Sequence, residues 1–171
     1  MQERQIPGLQ LAVIQHGKII LARNFGLASV QYGVPVTEAS LFSIHSATKA
    51  FTGVAVMQLV QQGKVDLAAP VSRYLPGLPA AWQAVTVTQL LNHTSGLPDV
   101  LDQATGQLVG PQPDNHAAAW TAVQALPVEA APGQRYRYNQ SNYVWLAQLI
   151  EKQCGMPYTA FIQRGQFDVA G

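Results

Sequence analysis

Apolar residues gather in two short strand-like runs before residue 26, and from Ser46 onward they recur at helical spacing. Residues 9–15 and 19–25 are rich in Leu, Ile and Val and flank His16-Gly17-Lys18, a short turn with glycine where a positive φ is needed. This pattern predicts a β-hairpin. Leu9, Leu11 and Val13 point one way on the first strand, and Ala12 and Ile14 point the other. On the second, Ile19 and Leu21 oppose Ile20 and Ala22. Strands apolar on both faces belong to a sheet covered on both sides. Two strands are fewer than the four to six or so of a usual sheet, and little after residue 45 has strand character.

Beyond Ser46 the apolar residues Ala50, Phe51, Val54, Ala55, Met57, Leu59 and Val60 surround a helix almost completely, which predicts a central, buried one. Gly63 suits the position just past its end, and Lys64 the negative end of its dipole. A second helix is expected near Val87, where Thr86 and Gln89 have capping-box spacing, ending at the turn Asn92-His93-Thr94-Ser95-Gly96-Leu97-Pro98. A third is expected over 115–126 and a fourth over 141–153, with Gly155 past its end. A short last helix follows, with Pro157 in its first turn. Residues 99–114 and 127–133 read as loops. The organisation is one domain over 1–171, with 1–45 as hairpin and lead-in and 46–171 as a helical region.

Composition narrows the functional classes. Charged residues are 11% of the chain and hydrophobic ones 48%, with 20 Gln and 23 Ala taking the place of charge. That apolar content predicts an ordered core. Ten basic and nine acidic residues leave a net charge of +1, without the basic excess of a nucleic-acid binder. Arg135-Tyr136-Arg137-Tyr138, the one basic-aromatic cluster, reads as a solvated strand edge. No apolar run approaches the roughly 18–20 residues of a membrane span, and no signal-peptide pattern opens the chain. The compartment stays open. Cys154, the single cysteine, excludes an intrachain disulfide and reads as a small apolar residue near a helix end. His16, His45, His93 and His116 are too dispersed for a zinc site, so neither metal nor cofactor is expected.

The chemistry concentrates in Ser46-Ala47-Thr48-Lys49. Residues three apart share a helix face, so this hydroxyl and amine can meet. A helix N-terminus and apolar surroundings both disfavour an ammonium, and a neutral lysine can take the proton of a serine nucleophile. The plainer reading makes Ser46 an ordinary N-cap; a cation in the first turn of an apolar helix speaks against it. His93, Ser95 and Asp99 invite a triad reading, but triad members come from separate elements rather than one loop. His93 is read instead as capping and holding its loop. His45, next to Ser46, either lines a cleft or packs.

Four segments then carry a resemblance. Residues 42–52, Phe-Ser-Ile-His-Ser-Ala-Thr-Lys-Ala-Phe-Thr, resemble the nucleophile segment of the serine β-lactamase-like family, which includes class C β-lactamases, penicillin-binding proteins and related esterases. Gly63-Lys64-Val65-Asp66-Leu67 with Pro70-Val71-Ser72-Arg73-Tyr74-Leu75-Pro76 is similar to the segment that follows. Residues 90–99, Leu-Leu-Asn-His-Thr-Ser-Gly-Leu-Pro-Asp, resemble the family's most recognisable loop, and Pro132-Gly133 with Tyr138 and the following helix its second motif.

The resemblance implies an α+β, β-lactamase/transpeptidase-like fold and an acyl-enzyme on Ser46. Lys49 and Tyr138 would share the proton transfers, with the base left open between them, and the Ser46 N–H would supply half of an oxyanion hole. For Tyr138 the alternative is a loop aromatic packed under the helix. The family's Tyr-x-Asn reads Tyr138-Asn139-Gln140 here. Gln140 carries its amide one methylene further out, where it can contact substrate or Lys49. This departure tilts the reading toward an esterase or peptidase and away from an antibiotic-resistance β-lactamase.

The resemblance also implies a chain about twice as long, with further sheet strands and a Lys-Thr-Gly or His-x-Gly motif. Neither Lys-Thr-Gly nor His-Thr-Gly occurs in this sequence, which reads as the N-terminal part of a hydrolase lacking its C-terminal sheet strands. Two functions follow: a serine hydrolase acting on a small-molecule ester, amide or β-lactam, or a fragment inert by itself that self-associates through unpaired sheet edges.

Overall fold

In the computed structural model, which describes residues 1–102, 104–110 and 116–171, the chain divides into two units, Met1–His45 and Ser46–Gly171.

The first unit is built on the predicted hairpin. Strand β1 (Gly8–Gln15) pairs antiparallel with β2 (Lys18–Ser29) across His16 and Gly17, whose φ values are 50° and 74°. Two consecutive positive φ angles give a turn whose twist matches that of the flanking strands. The register pairs Val13 with Leu21 and then Ile14 with Ile19, leaving Ile20 as a bulge. A third strand, β3 (Val34–Pro35), pairs with β2 and gives the order β1-β2-β3. The sequence pattern does not predict β3, because two residues have no period and proline is confined to sheet edges. The expectation of a sheet covered on both faces is corrected. Ile14, Ile19 and Ile20 are 66%, 67% and 58% exposed, and Val36 is the unit's one buried residue among those described. Apolar alternation records which residues could be covered; this unit holds no helix able to cover them.

The second unit is helical: α1 (Thr48–Gln61), α2 (Val87–Leu91), α3 (His116–Gln124), α4 (Gln140–Cys154) and α5 (Tyr158–Ile162). Asn115, where the third helix was expected to begin, and residues 103 and 111–114 of the predicted 99–114 loop lie outside the described residues. The predicted capping box of α2 is formed: Thr86 Oγ1 accepts from the Gln89 N–H, and Gln89 Oε1 accepts from the Thr86 N–H. Helix α1 ends in a Schellman motif, with Gly63 N–H donating to Val60 O and Lys64 N–H to Leu59 O, both at 2.9 Å. Helix α4 starts one residue earlier than expected because Asn139 caps it, and Pro157 stands at the N-cap of α5 rather than in its first turn. Residues 135–138, read as a strand edge, form no strand.

The core gathers Ala55, Val56 and Leu59 of α1, Val87 and Leu90 of α2, Val123 of α3 and Leu146, Leu149 and Ile150 of α4, all fully buried. Trp82 meets Trp145 edge-on at 5.8 Å, and Trp120 lies 4.3 Å from Trp145. Helix α1 packs on α4 and α5 through the stripe Thr52, Ala55, Val56, Leu59, an i, i+3, i+4, i+7 pattern. Its expected burial all round is therefore corrected. Val54 and Met57, on the other side, are half exposed and line an open groove of about 820 Å³ with Lys49, Ala50, Gly53, Gln61 and Tyr143.

Candidate active site

The turn before α1 places Ser46 where its side chain does not cap the helix. The N-cap is Ala47, already helical at φ −61° and ψ −22°, and it makes no side-chain cap bond. The N-cap reading of Ser46 is thus excluded. The serine hydroxyl instead accepts from Tyr138 Oη at 2.6 Å and from Lys49 Nζ at 3.3 Å. Lys49 also donates to Gln140 Oε1 at 2.6 Å, and its ammonium lies 4.9 Å from the centroid of the Tyr138 ring and 5.2 Å from that of Tyr143. A lysine in the first turn of a helix opposes the dipole. The Gln140 carbonyl and two aromatic faces offset that cost.

All four residues singled out in the sequence therefore meet, although they come from two segments about ninety positions apart. Tyr138 is 38% exposed, too open for an aromatic merely packed under a helix. Burial by itself would raise its phenol. Hydrogen bonds with Lys49 and Ser46, the Lys49 charge and Gln140 outweigh burial and hold the group below its ordinary value. Tyr143 is shifted the other way, raised by burial and then by the Tyr138 charge.

A layer of buried polar groups that the sequence pattern did not reveal ties residues 95–100 to the segment 139–142 that follows Tyr138. Asn139 caps α4 by accepting from the Asn142 N–H, while its amide donates to Leu97 O at 2.7 Å. Ser95 Oγ donates to Asn142 Oδ1 at 2.6 Å, the Val100 N–H to Ser141 Oγ at 2.8 Å, and the Gln140 N–H to Asp99 Oδ1 at 3.0 Å. Asn139 before a helical stretch was a legible cap signal; the partners of Ser95, Ser141 and Asn142 were not, being 41 to 47 residues away. These bonds also dispose of the triad reading, since Ser95 serves Asn142, Asp99 receives backbone N–H groups, and His93 Nδ1 accepts from the Asn139 N–H. His45, at φ 44°, is exposed rather than packed. Among the described residues no three His, Cys, Asp or Glu could hold a metal ion, and no helix is long and apolar enough to cross a membrane.

The loop itself depends on Gly96. Its φ is 71°, its carbonyl accepts from the Glu129 N–H at 2.8 Å, and a Cβ there would strike the Ala130 carbonyl oxygen. Gly96→Ala is expected to cost about 1–3 kcal/mol, as for other forced backbone conformations. Urea unfolding of the two chains measures the difference, and an unchanged midpoint would show that the 129–133 segment yields freely.

A family model described as Beta-lactamase matches residues 1–171. The chain belongs to the beta-lactamase family. It is 34% identical over 177 aligned residues to penicillin-binding protein 4* of Bacillus subtilis, covering 99% of this chain and 38% of that one. Among solved structures, the octameric penicillin-binding protein homologue from Pyrococcus abyssi is 31% identical with a TM-score of 0.77, over 98% of this chain and 40% of that one. The D-amino acid amidase from Ochrobactrum anthropi SV3 is 30% identical with a TM-score of 0.79, over 97% and 45%. The fold is thus of the β-lactamase/transpeptidase type. The chain spans 33% of the length of protein flp of Staphylococcus aureus and 38% of that of penicillin-binding protein 4*.

Proposed function

We propose that this beta-lactamase family chain carries the nucleophile and proton-transfer groups of a serine hydrolase. The observation that carries the reading is the contact of one hydroxyl, Ser46 Oγ, with both an amine and a phenol, at 3.3 and 2.6 Å. In the reaction Ser46 Oγ bonds to the acyl carbon of the substrate as its proton passes to the Lys49–Tyr138 pair. The tetrahedral intermediate collapses by losing the alcohol or amine, which takes that proton. Water then attacks the acyl-serine, returns a proton through the same pair, and releases the acid. The Ser46 N–H, near the start of α1, faces developing negative charge.

The substrate is a small ester, amide or β-lactam, and we favour an ester or peptide. Gln140 in place of the family's asparagine supports that preference. Gln140 is assigned to substrate contact through the part of its amide that Lys49 does not engage.

Intact-protein mass after exposure to a fluorophosphonate, and separately to benzylpenicillin, tests the proposal. One adduct from the fluorophosphonate alone is expected. Adducts from both would restore penicillin recognition, and labelling by neither would remove the hydrolase reading for this chain. The second reading, an inert chain that self-associates through β1 and β3, draws on the exposed isoleucines of the hairpin. It predicts a mass above the monomer in size-exclusion chromatography.

A further inference from the structure

Tyr138 lies in an irregular segment, where no sheet ladder or helix fixes its backbone. The backbone N–H groups on either side of it are both bound by a single residue. The Arg137 N–H donates to the His93 carbonyl at 2.8 Å, and the Asn139 N–H donates to His93 Nδ1 at 3.2 Å. The imidazole also lies along the Tyr138 ring, with centroids 4.7 Å apart and planes 34° apart, and 5.2 Å from the ring of Tyr143 on α4. His93 is 9% exposed and holds φ at 61°. That conformation is uncommon away from glycine, with Asn, Asp and His the residues that tolerate it best.

We propose that His93 is the positioning residue of this site: its carbonyl and its Nδ1 grip the chain before and after Tyr138 and hold the phenol against Ser46. The inference rests on the serine-hydrolase reading for its effect on rate, but not for its effect on Tyr138. Acceptance at Nδ1 requires a neutral ring with its proton on Nε2. Burial, and next the Lys49 charge, lower the affinity of His93 for a second proton and outweigh the opposing pulls of the Asn139 backbone hydrogen bond and of Asp99, a balance that favours the neutral ring. Loss of the acceptor would leave the buried Asn139 N–H without its partner and free Tyr138 to move from Ser46.

Two substitutions separate positioning from bulk packing. His93→Ala removes the Nδ1 acceptor and the ring. His93→Asn puts an amide oxygen near the place of Nδ1, tolerates the positive φ and does not titrate. The first readout is the rate of fluorophosphonate labelling at pH 8 by intact mass. His93→Ala is expected to slow it by on the order of 10²-fold, the usual penalty for a misplaced group about 1 Å from its position, and His93→Asn to restore most of the loss. The second readout is the tyrosinate absorbance of Tyr138, isolated by subtracting the titration of a Tyr138→Phe chain. It is expected to be lowered in wild type and His93→Asn, and to rise toward the ordinary phenol value in His93→Ala. If wild type takes no label, the hydrolase reading fails while this titration still judges His93. If His93→Ala does not fold, His93→Asn decides. A folded His93→Asn chain with Tyr138 released, or a folded His93→Ala chain with Tyr138 and the labelling rate unmoved, overturns the proposal.

Discussion

Ser46→Ala is expected to leave the chain without any fluorophosphonate adduct, and Lys49→Met to slow adduct formation by about 10³-fold, within the range of a lost general acid–base group. The serine loss is total because the hydroxyl is the atom that bonds. The lysine loss is partial because Tyr138 Oη, at 2.6 Å, remains on the same oxygen. Methionine keeps the length of the lysine stem and its packing near Tyr143, so the change isolates the amine. Its removal also frees the Gln140 carbonyl and takes away the charge that helps hold the Tyr138 phenol low. A time course of intact mass for the three chains gives the rates. Labelling of Ser46→Ala at another hydroxyl would move the nucleophile elsewhere, and an unslowed Lys49→Met would assign the proton transfer to Tyr138 alone.

The largest effect on stability is expected at Trp82. It is 1% exposed and packs edge-on against Trp145, which in turn meets Trp120. Trp82→Ala removes a large, almost fully buried ring from the core. The cost should be about 3–5 kcal/mol, a large share of the roughly 5–15 kcal/mol by which a domain is stable. Trp82→Phe keeps a ring and should cost less. Urea denaturation followed by far-UV circular dichroism measures both, with a shift of midpoint at constant slope marking a change in stability alone. If Trp82→Ala matched wild type, the tryptophan cluster would not be part of the cooperative core.

How legible the site was depended on the range of each interaction. Ser46 and Lys49 could be paired from sequence alone, since three residues of helix bring two side chains to one face. Thr86 with Gln89, and Gly63 after α1, were legible for the same reason, their partners lying within one turn. Tyr138 and Gln140 were reached through resemblance to a family motif, because no local rule joins them to a lysine 91 residues away. His93 was read only as a loop residue. Its part in holding Tyr138 depends on a backbone N–H 46 positions further on, and no periodicity records such a bond.

The amino-acid sequence by itself determined the hairpin, the helices and the order of the four family segments, because turns, caps and apolar periodicity act within a few residues. It also established that one hydroxyl and one amine share the start of a helix. Only the tertiary structure decided that α1 buries one side and leaves Val54 and Met57 open. It also decided that the hairpin's faces stay uncovered within their unit, and that Ser46 meets a phenol instead of capping a helix. Burial and long-range hydrogen bonds depend on which surfaces the chain brings together, and a pattern of apolar residues states what can be covered without stating what covers it.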